Sequence, residues 1–296
     1  MTLDPGRLAA ALSHGPVARV VVAEARGSAP REAGAEMRVW SGGFDGTIGG
    51  GALEWRALAL ARETLADGRA RVARMPLGPA LGQCCGGAVV LVVERLEAVP
   101  DLPFVRRVEG DADRPARIEG LTDGWLAEEA PAGRPLWIWG AGHVGAAIAS
   151  VVTPLPGWAL TWVDASADRF PDAPAGPGRL VAADMPRAMA HAPRDARHLI
   201  LTYSHEIDLA LCHAALMRGF AGCGLIGSAT KWARFRARLR QLGHADAAIS
   251  RIACPIGDPG LGKHPQAIAV GVAAALLSGE LSREAAAPDG ARGQTA

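Results

Sequence analysis

Apolar residues in the first third of the chain switch between strand and helix periodicities. Residues 17–25 hold a nearly unbroken run, Val17, Ala18, Val20, Val21, Val22 and Ala23, the pattern of a strand covered on both faces. Short apolar runs at 37–40 and 44–48 flank the Gly42-Gly43 break and predict two further strands. Leu53, Leu58, Ala61 and Leu65 recur at helical spacing, which predicts a helix over 52–66. A weaker amphipathic pattern over 3–12, a strand over 71–77 and a central strand over 88–94 complete a mixed α/β unit spanning 1–98.

From 99 to 134 the pattern loosens into Pro, Gly, Asp and Arg with only short apolar patches, so this stretch reads as a linker or small peripheral elements. Strands then alternate with helices. Strands are predicted at 136–139, 160–163, 180–182, 198–202 and 224–226, and helices up to 152, then at 184–191, 206–218, 229–241 and 264–277. This alternation is that of a doubly wound parallel sheet, a Rossmann-like domain over 135–281. The polar, small-residue tail 282–296 is expected to be disordered.

Three glycine-rich stretches interrupt these elements where chemistry would sit. Gly49, Gly50 and Gly51 open the helix predicted over 52–66 and expose amides at its positive end, a device for binding phosphate or carboxylate. Just upstream, Arg26, Ser28 and Arg31 lie in a turn, where either arginine can be solvated or meet an arriving phosphate. The second stretch, Gly82-Gln83-Cys84-Cys85-Gly86-Gly87, places two thiols side by side. Neighbouring Cα atoms lie only ~3.8 Å apart, short for an ordinary disulfide, and zinc ligands are usually spaced more widely. Buried structural thiols and a soft-metal ligand site, with Gly86 and Gly87 admitting close backbone approach, both remain as readings.

The third stretch, Gly140, Gly142, His143 and Gly145, is a G-x-G-x-x-G fingerprint between strand and helix. Asp164 closes the following strand, where a ribose-binding acid would stand. A nicotinamide-dependent oxidoreductase is one reading of that pair, although no acid/base pocket accompanies it. Ser204-His205-Glu206 resembles a triad only in one dimension, and Ser204 is a natural helix N-cap.

Composition narrows the partners. A net charge of +1 gives no electrostatic case for nucleic acid or an anionic membrane surface. No apolar run reaches membrane-spanning length, and the N-terminus has no signal pattern, so a cytoplasmic protein is expected. Five cysteines at irregular spacing argue against an extracellular disulfide framework. Of 31 basic residues only Lys231 and Lys263 are lysine, so each marks a place where a compact ammonium is a candidate requirement.

Taken together, the motifs at 27–35, 46–54, 82–87, 140–145, 204–206 and 226–231 make the chain resemble the XdhC/CoxI family of accessory proteins for molybdenum hydroxylases. The vicinal-cysteine loop is the most specific carrier. Ala29 and Tyr203 depart from the family pattern, and the 257–263 loop is one residue short of it. The resemblance implies a chaperone that binds molybdenum cofactor, supports its sulfuration and delivers it to an enzyme such as xanthine dehydrogenase. It further implies a cysteine desulfurase as sulfur donor, a homodimer, and Cys84 or Cys85 as molybdenum ligand. The expected cofactor contacts are Ser28, Arg31, Gly49, Gly50, Gly51, Gln83, Cys84, Cys85, Gly86 and Gly87. Gly140, Gly142, His143, Gly145, Asp164 and Lys231 are assigned to the cofactor or to a nucleotide in the Rossmann-like domain.

Overall fold

A computed structural model describes residues 1–78, 86–171 and 178–279. The chain divides into two compact units at Pro131/Ala132.

The first unit is built on a five-stranded antiparallel sheet in the order β3-β2-β1-β5-β4. Its strands are β1 (Val17–Arg26), β2 (Glu36–Trp40), β3 (Gly43–Gly46), β4 (Arg71–Pro76) and β5 (Ala88–Leu96). Helix α1 (Pro5–Leu12) precedes the sheet, and α2 (Gly51–Asp67) packs on one face. That face is a core of Val20, Val22, Met37, Leu91 and Val93 against Leu53, Ala57 and Ala61. Up to the bulge between Val22 and Glu24, odd-numbered positions of β1 point to the other face, where Val21 and Ala23 meet Val92 and Leu126.

On this second face lie residues of the stretch 99–134, read from the sequence as a linker or small peripheral elements. Residues there form β6 (Phe104–Arg107), β7 (Leu121–Thr122) and β8 (Trp125–Glu128), a three-stranded sheet in the order β6-β8-β7. What holds it is charge as much as apolar area. The fully buried Arg19 donates to both oxygens of Glu128 at 2.8 and 2.6 Å and to Glu36 at 2.5 Å. Arg106 pairs with Glu94 and Glu128, so several strands share one network. Burial raises the carboxyl of Glu128, but Arg19 and Arg106 more than offset this and hold it below the usual carboxylate range.

The second unit is an all-parallel sheet in the order β11-β10-β9-β12-β13-β14. Its strands are β9 (Arg134–Trp139), β10 (Trp158–Asp164), β11 (Gly178–Val181), β12 (Arg197–Ile200), β13 (Gly222–Leu225) and β14 (Ile252–Ala253). Numbered within the unit this is 3-2-1-4-5-6, the dinucleotide-fold order with its switch point between β9 and β12. Helices α3 (His143–Val152) and α8 (Pro265–Ser278) cover one face, packing on Leu136, Ile138 and Leu199. The other face, through Trp137, Trp139 and Ile200, meets α4 (Met185–Ala188), α5 (His205–Arg218), α6 (Ala229–Gln241) and α7 (Asp246–Ile249). In that core Trp139 donates its indole N–H to His198 Nδ1 at 3.2 Å, and burial pushes the imidazole down to about 4.

Candidate functional site

In the first unit, three of the glycine motifs meet at the end of β1. A Cβ on Gly87 would lie 2.3 Å from the carbonyl of Arg26 and 2.6 Å from that of Ser28, so the turn after β1 rests backbone to backbone on Gly87. A Cβ on Gly49, whose φ is +120°, would lie 2.2 Å from Cβ of Pro30. The Leu77 amide donates to the Gly87 carbonyl at 2.7 Å and closes the root of the intervening segment. Gln83, Cys84 and Cys85 lie outside the described residues.

The mouth of α2 departs from the expectation of amides awaiting a ligand. Gly50 caps the helix without a side-chain partner, but Glu54 folds back over the turn. Its carboxylate accepts from the Ile48 amide at 3.0 Å and from the Thr47 hydroxyl. Burial raises this carboxyl, yet the Thr47 hydroxyl and the Gly50, Ile48 and Gly49 amides bring its pKa below the ordinary value. The chain thus supplies its own anion to that helix end. Arg31 pairs with Glu32 at 3.1 Å and reaches the Thr47 carbonyl at 3.4 Å, tying the two turns together, while Ser28 is exposed.

On the same unit lies a groove of about 400 Å³, lined by Glu24, Arg26, Arg74, Met75, Pro76, Ala88, Val89 and Val90. Pro76 and Ala88 are register partners at the ends of β4 and β5, from which the cysteine segment springs. Arg26 lies in the turn whose two arginines, Arg26 and Arg31, the sequence offers either to solvent or to an arriving phosphate, while Arg74 did not stand out because its strand was read through its apolar positions.

In the second unit the fingerprint glycines divide their work. A Cβ on Gly140 would meet the Leu201 carbonyl at 2.4 Å, and one on Gly145 the Gly140 carbonyl at 2.0 Å, so both allow close packing. Gly142, the N-cap of α3, faces open space. Together with His143, Ala146, Arg169 and Phe170 it lines a cavity of about 480 Å³. Asp164 does not face that cavity as a free acid. It is fully buried, accepts from the amides of Ala141 and Ala165, and pairs with Arg169 at 2.7 Å. Its role in the structure is to clamp the glycine loop to the end of β10.

Across the switch point, Lys231 spends its ammonium inside the protein. Nζ donates to Asp208 at 2.6 Å and to the Ile226 carbonyl at 3.0 Å. Asp208, nearly fully buried, also accepts from the Thr202 amide and hydroxyl at 2.8 and 2.7 Å. Ser204 caps α5 by accepting from the Ile207 amide, as its sequence context predicts. Asp208 escaped sequence reading because helical spacing placed it among apolar neighbours, and only its position one turn beyond Ser204 hinted at loop contact. Burial pushes the thiols of Cys223 up to about 12, of Cys254 up to about 11, and of Cys212 well above its ordinary value. Among the described residues, no group of three or more His, Cys, Asp or Glu could hold a metal ion.

Fold and site define a two-unit α/β protein with a glycine-rich motif beside a cavity or groove on each unit. Two family models match it, the XdhC and CoxI family over residues 10–76 and the XdhC Rossmann domain over residues 136–276. The chain belongs to the XdhC/CoxI family. Membership associates it with xanthine dehydrogenase maturation, as an accessory protein rather than an enzyme, and with a molybdenum hydroxylase partner. A crystal structure described as a xanthine dehydrogenase from Bacillus halodurans is similar over 97% of this chain and 98% of that one, with a TM-score of 0.70 and 18% identity. At that identity the likeness is one of fold. No match was found among curated proteins.

Proposed function

We propose that the protein is a chaperone that binds molybdenum cofactor, supports its sulfuration and protection, and inserts it into a molybdenum hydroxylase such as xanthine dehydrogenase. The observation that carries this reading is the packing of Gly27-Ser28-Ala29-Pro30, Gly49 and Gly87 into one surface at the root of the segment bearing Cys84 and Cys85.

A pterin dithiolene with a phosphate asks for close backbone approach, cationic side chains and a soft donor for its metal. Gly86, which faces open space, meets the first need, arginines at the end of β1 the second, and Cys84 or Cys85 the third. When bound, the cofactor supplies a molybdenum centre that carries a terminal sulfido ligand. The chain's part is to hold that centre by sulfur, shield it, and release it to the apoenzyme, with a cysteine desulfurase as sulfur donor and a homodimer as the working assembly. Replacing Cys84 and Cys85 together by alanine is expected to abolish cofactor retention while leaving the circular-dichroism spectrum intact. Unchanged affinity in a binding titration of that variant overturns the reading.

A nicotinamide-dependent oxidoreductase is the second reading, favoured by the strand order of the second unit and the cavity beside Gly142. The engagement of Asp164 by Ala141, Ala165 and Arg169 weighs against its ribose contact. A titration with NAD(P)H that finds no micromolar binding removes this reading.

A further inference from the structure

We infer that the groove lined by Glu24, Arg26, Arg74, Met75, Pro76 and Val90 is the seat of a phosphorylated, flat heteroaromatic ligand, with Arg26 and Arg74 taking its phosphate. This rests on the chaperone reading and goes beyond it by moving the phosphate away from the α2 turn.

The groove, at about 400 Å³, falls within the roughly 300–1,000 Å³ of small-molecule sites. Its more accessible apolar residues, Pro76, Ala88 and Val90, suit an apolar ring edge, while Met75 and Val89 back it from the core, and its charged residues are two arginines against one glutamate. The rival position at the α2 turn is already served, since Glu54 accepts from its amides. Arg26 and Arg74 are both exposed, with side chains 78% and 60% accessible. Arg26 commits Nη2 to Glu24 at 2.7 Å. Arg74 holds Glu109 in a two-pronged contact at 2.8 and 2.5 Å. A fork occupied by a carboxylate is presented for bidentate oxyanion binding, and a phosphate makes the same contact with more charge. Glu109 therefore acts as a resident competitor that phosphate displaces. The location is apt, because the strand ends at Pro76 and Ala88 carry the thiol segment, and Gly86 directly follows Cys85 in the chain.

The test titrates full-length protein with cofactor released from a molybdenum enzyme, and in parallel with the same cofactor after phosphatase treatment. The Arg26→Ala/Arg74→Ala variant is expected to bind intact cofactor at least tenfold more weakly and the dephosphorylated form within twofold of wild type. Glu109→Gln is expected to bind intact cofactor about threefold more tightly, a gain that a purely structural Arg74–Glu109 pair does not produce. If wild type binds but the double variant binds equally well, or loses both ligands equally, the groove assignment fails and the chaperone reading stands. The groove assignment also fails if Glu109→Gln weakens binding, or if only Arg31→Ala weakens it. If wild-type protein binds neither ligand, both proposals fall.

Discussion

Lys231 reaches from α6 to Asp208 on α5 with a straight stem and a compact ammonium. Its aliphatic stem lies along Gly227, where an added Cβ would come within 2.8 Å of its Cδ. The ammonium is held between the Asp208 carboxylate and the Ile226 carbonyl. In a chain where 31 basic residues include only two lysines, this is a physical reason for one of them. Lys231→Met leaves Asp208 buried without its cation, and breaking such a pair costs about 3–5 kcal/mol. Chemical denaturation at neutral pH is expected to show a loss of that size, with Lys231→Arg recovering less than half of it. The lysine was legible in the sequence as an exception. Its partner was not, because Asp208 and Lys231 are brought together only when α5 and α6 pack.

At the scale of elements, β1 is the strand on which the first unit turns, and it is buried on both faces for different reasons. Towards α2 it presents Ala18, Val20 and Val22, and towards the small sheet Arg19 among Val21 and Ala23. Arg19 stands directly opposite Glu94 in the β1–β5 register and opposite Arg38 in the β1–β2 register. Three carboxylates therefore gather around it, and they hold its guanidinium above the ordinary range despite burial. Removing the charge of Glu128, as in Glu128→Gln, is expected to destabilise this unit by about 3–5 kcal/mol in urea titrations at pH 7. The pH dependence has a definite sign. Glu128 is held below its ordinary value of 4.5 in the folded state, so its contribution is present above that value and is lost as pH falls through the folded pKa. The stability gap between wild type and Glu128→Gln is therefore expected to close in acid below about pH 4.5, as followed by unfolding at stepped pH. The strand itself was legible from its apolar run. The small sheet was not, because its strands are too short and too rich in charge to carry a period-two signal, and their burial depends on a salt-bridge network.

For the whole molecule, the division at Pro131/Ala132 leaves each unit with its own core. Chains cut to 1–131 and 132–296 are expected to unfold cooperatively on their own in urea, and a fragment 1–98 is expected not to, because it lacks Glu128 and the small sheet. Among the described residues no helix is long and apolar enough to cross a membrane.

Apolar periodicity determined the longer helices, the central strands and the doubly wound layout, but not the short α7 and β14, because burial selects side-chain spacing locally only over runs long enough to show it. The glycine motifs likewise marked where backbones approach closely, at Gly49, Gly87, Gly140 and Gly145, since such approach leaves few residue choices. Only tertiary structure decided which polar groups in those regions are already spent. Glu54 serves the α2 turn, Asp164 clamps its own loop and Lys231 neutralises Asp208, while Arg26 and Arg74 meet at a groove. The physical reason is that a charge's partner is set by distance in space, and strand pairing and helix packing bring these residues together from separate parts of the chain.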